Sequence, residues 1–380
     1  MNCIRLLGAC LLLLFSIPLQ AEIRITDIAG RVVVLQQPAQ RFVLSEGRYV
    51  LALALVRPGN PLQGLVGMMQ TIGWTYPDLE EQVFRLYPAA KDIALFGARD
   101  ASSVSVEKII DLKPEVAIFG VQDHGPGSGN AELLRQLEAA GIKVVFIDFR
   151  MDPLHNTTRS IAILGQVFGT EARAQSFNDL YLGKRALIEK RVANVKRKPS
   201  VFLQAHPGRF DCCMAMADGM LGPFVGLAGG RNIADAVAPG PTSEHTAEFL
   251  LMENPDVWIG SASGTVLDFN AGKNIVALGA GMTTDTARKS LNRFLAAPEF
   301  QALDAVKKGH SHALWHDFYN SPLNIAALEA MAQWIHPELF ADIDPQRTLQ
   351  EIDGQFLPFD LNGTFFSSNQ SSITETGAWK

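Results

Sequence analysis

The sequence predicts an α/β protein made of two similarly built lobes with mostly parallel sheets, joined by one long helix. Three observations carry this: short apolar runs alternate with helical patterns, one mid-chain helical pattern is unusually long, and one motif recurs on either side of it. The composition agrees. With 47% hydrophobic and 19% charged residues among 380, a disordered chain is excluded, and the length suits about two domains with their own cores. Asp+Glu number 39 against 33 Lys+Arg, a net charge of -6, which argues against nucleic acid as the main partner.

The first 21 residues read as a secretory signal peptide cleaved after Ala21. Arg5 gives a positive start, Leu6 to Leu19 is almost wholly apolar, and Leu19-Gln20-Ala21 ends on a small residue. Leu7-Gly8-Ala9-Cys10 fits a lipoprotein box locally, but the apolar run continues past Cys10, whereas such a box ends it. No other run of ~18 apolar residues follows, so a soluble mature chain is expected.

Phe42-Val43-Leu44-Ser45, Val116-Ala117-Ile118-Phe119, Val144 to Asp148, Val201-Phe202-Leu203, Val257-Trp258-Ile259 and His312-Ala313-Leu314 read as buried strands, and Ala131 to Ala140 as a helix ended by Gly141. Asp152 is placed to cap a helix with Pro153 at its first position, running to Phe168. Gly169 interrupts it. Thr170 can recap a second stretch reaching about Val195, ~26 residues and ~39 Å, with an apolar stripe through Ala174, Phe177, Tyr181 and Ile188. This is the expected strut between lobes.

The repeat supports that reading. Ser105-Val106-Glu107 and Thr246-Ala247-Glu248 each open a short helix that ends in a proline seven residues after the glutamate, then an acid and a buried strand. The hydroxyls suit capping of orphan amides, and the glutamates complement the positive helix end. The expected division is an N-terminal lobe over 22–150, a helical region over 151–195, a C-terminal lobe over 196–360, and a disordered tail rich in Ser, Asn and Thr over 361–380.

Of four cysteines, Cys3 and Cys10 leave with the signal. The adjacent Cys212-Cys213 allow no long-range disulfide; they either close an eight-membered ring or stay as thiols, and lack zinc or Cys-x-x-Cys spacing. No enzyme is expected. Gly260-Ser261-Ala262-Ser263-Gly264 has alanine where a nucleophile elbow needs serine, no Walker loop is present, and Gly279-Ala280-Gly281 opens no convincing dinucleotide motif.

The chain resembles the periplasmic solute-binding proteins of ABC importers for ferric siderophores, haem and cobalamin. The repeat carries the resemblance, together with Leu137-Glu138-Ala139-Ala140-Gly141-Ile142-Lys143-Val144-Val145, Ala228-Gly229-Gly230-Arg231-Asn232-Ile233, Ala305-Val306-Lys307-Lys308-Gly309 and Phe318-Tyr319-Asn320-Ser321-Pro322. It covers nearly the whole mature chain. It implies two Rossmann-like lobes with ligand in the cleft between them, a monomer in the periplasm, and delivery of the ligand to an inner-membrane permease. It carries over Glu107 and Glu248 as the acids that dock onto permease arginines. It implies no resident cofactor. The cargo is expected to be an iron-siderophore-like chelate, with haem or cobalamin as alternatives.

Loops after strands should line such a cleft. They supply Arg48, Tyr49, Trp74, Tyr76, Phe96 and Arg99 from the first lobe, and His206, Arg209, Trp315, His316, Asp317 and Tyr319 from the second. Aromatic area plus arginine donors suits a bulky, partly anionic ligand. Under the haem alternative, the resemblance implies a tyrosine or histidine as axial ligand, a role Tyr76 or Tyr49 could serve. His310, His312 and His316 have metal-compatible spacing but flank and enter one strand, so they should point apart, and no protein-held metal is expected.

Overall fold

The computed structural model describes residues 22–369 except 75, 99, 123, 211, 238 and 239, and leaves out the Trp74 side chain. The signal peptide and residues 370–380 lie outside the described residues. The chain enters through an antiparallel hairpin, β1 (Ile23–Thr26) and β2 (Val32–Leu35). The first lobe is then built on β3 (Phe42–Leu44), β4 (Leu65–Met68), β5 (Ala94–Leu95), β6 (Val116–Gly120) and β7 (Lys143–Ile147), all parallel, in the order β5-β4-β3-β6-β7. Strands β3 and β6 are wholly buried, as expected of a parallel sheet covered on both faces.

The second lobe holds β8 (Ser200–Ala205), β9 (Met214–Met216), β10 (Arg231–Asn232), β11 (Thr242–Glu244), β12 (Val257–Ala262), β13 (Gly279–Ala280), β14 (Ser311–Trp315), β15 (Gly363–Thr364) and β16 (Phe366–Ser368). Its main sheet runs β11-β9-β8-β12-β14-β16, with β10 beside β8; β13 pairs with β15 separately. The centre, β8-β12-β14, is parallel, while β9, β11 and β16 pair antiparallel. All six runs read as strands are strands. Gly279-Ala280 sits in β13, a structural pairing.

The C-terminal stretch departs from expectation. Residues 361–369 are ordered: β16 extends the sheet against β14, and the Asn369 amide donates to the Ser311 carbonyl at 3.0 Å. Phe365 and Phe366 supply the reason. Phe366 stacks on Phe318 at 5.4 Å and Phe365 packs edge-on to Trp315 at 5.3 Å, so two aromatics outweigh the polar residues around them.

The helix Pro153–Phe168 ends at Gly169, whose φ of 66 is the left-handed conformation of a helix C-terminus. Asp152 does not cap it; its carboxylate takes His155 Nδ1 at 2.8 Å. Asp148, at the end of β7, instead accepts the amides of Arg150, Met151 and Asp152 at 2.9, 2.8 and 2.9 Å. Thr170 makes no side-chain cap either. The strut is Glu171–Val192, 22 residues, about 33 Å, ending three residues earlier than read from the sequence. Its Ala174, Phe177, Tyr181 and Ile188 are buried.

A buried polar network fixes the strut. Tyr181 Oη donates to Asn324 Oδ1 at 2.8 Å, and Asn324 Nδ2 donates to Thr157 Oγ1 at 2.9 Å. All three residues are fully buried, and they join the strut to the helices Pro153–Phe168 and Asn324–Ile335. In each repeat copy the hydroxyl caps as expected: Ser105 Oγ accepts from the Lys108 amide at 3.2 Å, and Thr246 Oγ1 from the Phe249 amide at 3.3 Å. Glu107 and Glu248 are exposed. Tyr181→Phe removes the only hydroxyl of its ring and leaves Asn324 short of a donor; urea unfolding should show a loss of about 1–3 kcal/mol with an unchanged m-value.

Candidate ligand-binding site

The parallel strands end along one seam between the lobes. After β3 the chain turns at Gly47, where a Cβ would lie 2.6 Å from the Thr71 carbonyl carbon, so only glycine fits. This close approach sets Arg48 into the seam with 3% of its side chain exposed. Its Nε pairs with Glu46 at 2.5 Å. Its Nη1 donates to Tyr319 Oη at 2.9 Å and lies 3.6 Å from Asp317, both on the other lobe. His124, in the loop after β6, completes the cluster: its backbone N–H lies 3.2 Å and its Nδ1 3.1 Å from Glu46 Oε1. Arg150, just past β7, sits 5.9 Å from the Tyr319 ring centroid. The 3-10 turn His316–Asn320 after β14 presents His316, Asp317 and Tyr319 together.

On the second lobe, His206 follows β8 with a φ of 50, an uncommon conformation for a non-glycine residue. Its ring centroid lies 3.7 Å from that of His316. Serines from the end of β12 and the loop beyond it orient both rings: Ser263 Oγ is 2.8 Å from His206 Nδ1, and Ser261 Oγ is 2.9 Å from His316 Nδ1. Among the described residues no group engages either Nε2. Burial, then Arg209, lowers His206 to about 4. Burial, followed by His206 and Arg48, Arg209 and Arg150, holds His316 well below its ordinary value. Both imidazoles are therefore neutral at neutral pH. Arg209 donates to Ser263 Oγ at 3.1 Å and to the Ser263 carbonyl at 3.0 Å, and pairs with Asp268 at 3.4 Å.

Beside this cluster opens a cavity of about 460 Å³, walled by Tyr76, Asp78 and Glu81 of the first lobe and Leu267, Trp315 and Asp317 of the second. Tyr76 and Trp315 meet across it with ring centroids 5.1 Å apart. Burial pushes the Asp317 carboxyl up to about 6, against the pull of Arg48 and His124. Burial, with Asp317 next in weight, raises the Tyr76 phenol well above its usual value.

Of the residues chosen from the sequence, Arg48, Tyr76, His206, Arg209, Trp315, His316, Asp317 and Tyr319 gather at the seam. Two go elsewhere. Tyr49 packs on Phe149, ring centroids 6.0 Å apart, inside the first lobe. Phe96 is buried in that lobe's second apolar cluster with Val43, Met69 and Ile109, filling the space between sheet and outer helices. Arg99 and the Trp74 side chain lie outside the described residues. His312 points away from His316, stacked on Trp334 at 4.7 Å and 2.7 Å from Ser368 Oγ. Glu46 and His124 fall in loops after strands that the sequence marks as cleft-lining, yet neither was among the residues chosen; Arg150, just past β7, carried the same signal. Asp78 and Glu81 carried none, since they look like ordinary acids of an amphipathic helix. The adjacent cysteines are joined as a disulfide.

A family model described as periplasmic binding protein matches residues 69–314. The chain belongs to that family. Among curated relatives, the high-affinity heme uptake system protein IsdE of Staphylococcus aureus is 28% identical over 232 residues, covering 60% of this chain and 69% of the relative. Among solved structures, FepB of Veillonella parvula, a TroA-like periplasmic binding protein, superposes with a TM-score of 0.81 at 24% identity, over 92% of this chain and all of that one. Molybdate-bound MolA of Haemophilus influenzae gives 0.63 at 18%, over 90% and 99%. This periplasmic binding protein thus has the two-lobed α/β fold of its family, whose members bind solutes for ABC importers and are not enzymes.

The neutral histidines set a pH dependence. Between about pH 6.5 and 4 the unfolded chain takes up protons that His206, His312 (lowered to about 3 by burial) and His316 refuse in the fold, so acidification destabilises. Asp317 opposes this between about 6 and 3.8, where the folded carboxyl keeps a proton the unfolded one has lost. His245, lowered by burial, adds to the histidines, and Asp235, Glu329 and Asp353, raised by burial, add to Asp317; the large shifts of His206, His312 and His316 set the sign. The urea midpoint should be lower at pH 5 than at pH 7.5, and His312→Gln should reduce the difference.

Proposed function

We propose that this protein is the periplasmic receptor of an ABC importer that captures a ferric chelate of siderophore type. The observation that carries this is the seam itself: two contacting, neutral imidazoles held by serine hydroxyls, with arginines from both lobes around them and aromatic walls alongside. A neutral imidazole is the form that ligates iron, and guanidinium groups suit chelator oxygens. A ligand entering between the lobes would take over the Arg48 contacts to Tyr319 and Asp317. The strut keeps the lobes near their present spacing while it does so. No bond of the ligand needs to break. Export rests on the signal-like first 21 residues and on the family's location.

Haem is the second reading. It is favoured by the haem-uptake relative from Staphylococcus aureus and by His206 or His316 as an axial ligand. The tyrosines fit that role less well, because Tyr49 is packed inside its lobe and Tyr76 is held as the phenol. Absorption spectroscopy and native mass spectrometry of protein purified from its host separate the two. A broad charge-transfer band with a chelate mass is expected, and His316→Ala should shift that band. A Soret band would select haem, and protein mass alone after loading with both ligand types would overturn the receptor reading.

Glu107 and Glu248 are proposed to dock the two lobes onto permease arginines. They occupy equivalent exposed positions, and the Glu248 carboxyl is lowered by its own backbone amide and then by Thr246. Replacing both by lysine should leave ligand affinity unchanged and abolish uptake into cells. Loss of ligand binding would make them supports of the lobes instead.

A further inference from the structure

We infer that the cargo is a ferric chelate with a cationic arm: the iron end meets the histidines, and an ammonium or similar cation enters the adjoining acidic cavity. This rests on the receptor reading and narrows its ligand class.

The seam is divided in charge. Around His316 stand Arg48, Arg150 and Arg209. Among the described residues, the cavity beside it has three charged residues on its wall, Asp78, Glu81 and Asp317, all acids, and no lysine or arginine. The acids come from both lobes, so only the assembled seam brings them together. Asp78 also marks the closest approach: at Gly281 on the second lobe, with a φ of +72, a Cβ would lie 2.2 Å from the Asp78 carboxylate. That glycine allows Asp78 to reach the opposite wall.

A cluster of acids alone would be an ordinary solvated face. Tyr76 makes it more. The residue is 3% exposed, lines the same cavity, and its buried hydroxyl has no hydrogen-bond partner among the described residues. A buried hydroxyl without a partner costs stability unless something fills the role. A primary ammonium has three donors, which matches the Tyr76 oxygen, the Asp317 carboxylate and one further acid. The Tyr76 and Trp315 faces add cation–π attraction for the same group. Two of the three arginines have carboxylate partners: Arg48 pairs with Glu46 and Asp317, and Arg209 with Asp268. A polyanionic chelate would therefore meet largely balanced arginines beside His316 and the carboxylates of Asp78 and Glu81 in the cavity.

The test uses the mature protein and three ferric probes of different charge. One is the ferric complex of a tetradentate dihydroxamate with a free terminal ammonium, which leaves two iron positions open to the histidines. The second is the same chelate with that amine acetylated. The third is an anionic ferric bis-catecholate, likewise with two open positions. Binding is read by quenching of tryptophan fluorescence. The ammonium form should bind about tenfold more tightly than its acetylated twin, and both more tightly than the bis-catecholate. The double variant Asp78→Asn, Glu81→Gln should shrink the tenfold difference between the two forms. Equal binding of the ammonium and acetylated forms, or tightest binding of the anionic chelate, overturns the cationic arm and leaves the receptor standing. Failure of all three to bind, with haem binding instead, overturns the ferric-chelate reading along with the arm.

Discussion

Arg48 is the group on which the seam depends. It is almost fully buried and faces three oxygen functions, one from its own turn and two from the opposite lobe. A buried guanidinium is stable only when its charge and donors are matched, so Glu46, Tyr319 and Asp317 must stay within reach. That requirement fixes the spacing of the lobes at their contact. The glycine before it, pressed against the backbone at Thr71, lets the arginine arrive where the partners are. Under the proposed function, a ligand entering there would have to supply equivalent oxygens before the contact could exchange.

The fold was legible because its signals are local and repeated. Apolar runs such as Val116–Phe119 and Val257–Ile259 are too short for helices and bounded by turn residues, and both became buried strands. The two capped helices before them were readable because a capping hydroxyl and a proline stand at fixed offsets. Less was legible where long-range packing decides. Asp152 looked like a cap, but its carboxylate turns to His155, and Asp148 at the end of β7 holds the amides of the turn that leads into the helix. The last ordered residues looked like a polar tail until Phe365 and Phe366 found Trp315 and Phe318.

The site was legible in outline only. The rule that ligands gather at strand ends pointed to loops of which many do meet at the seam between the lobes. It could not tell which face of a loop looks inward. Tyr49 and Phe96 follow strands like the others, yet they fill their own lobe. The electrostatics were hardest to foresee. Arginines in sequence suggest a basic cleft, but their carboxylate partners come from distant segments: Arg48 meets Asp317 across 269 positions. Charge balance in a cleft is a tertiary property, and Asp78 and Glu81 on the helix Pro77–Leu86 changed its sign locally.

Strand β16 has a consequence for how the molecule tolerates shortening. It covers one side of β14 by antiparallel pairing from His312 to Leu314. A chain cut ahead of Phe366 would expose that flank as a bare row of amides and carbonyls beside a greasy aromatic patch. Such a margin recruits strands from neighbouring molecules, so β16 and Asn369 act as a selvedge against self-association.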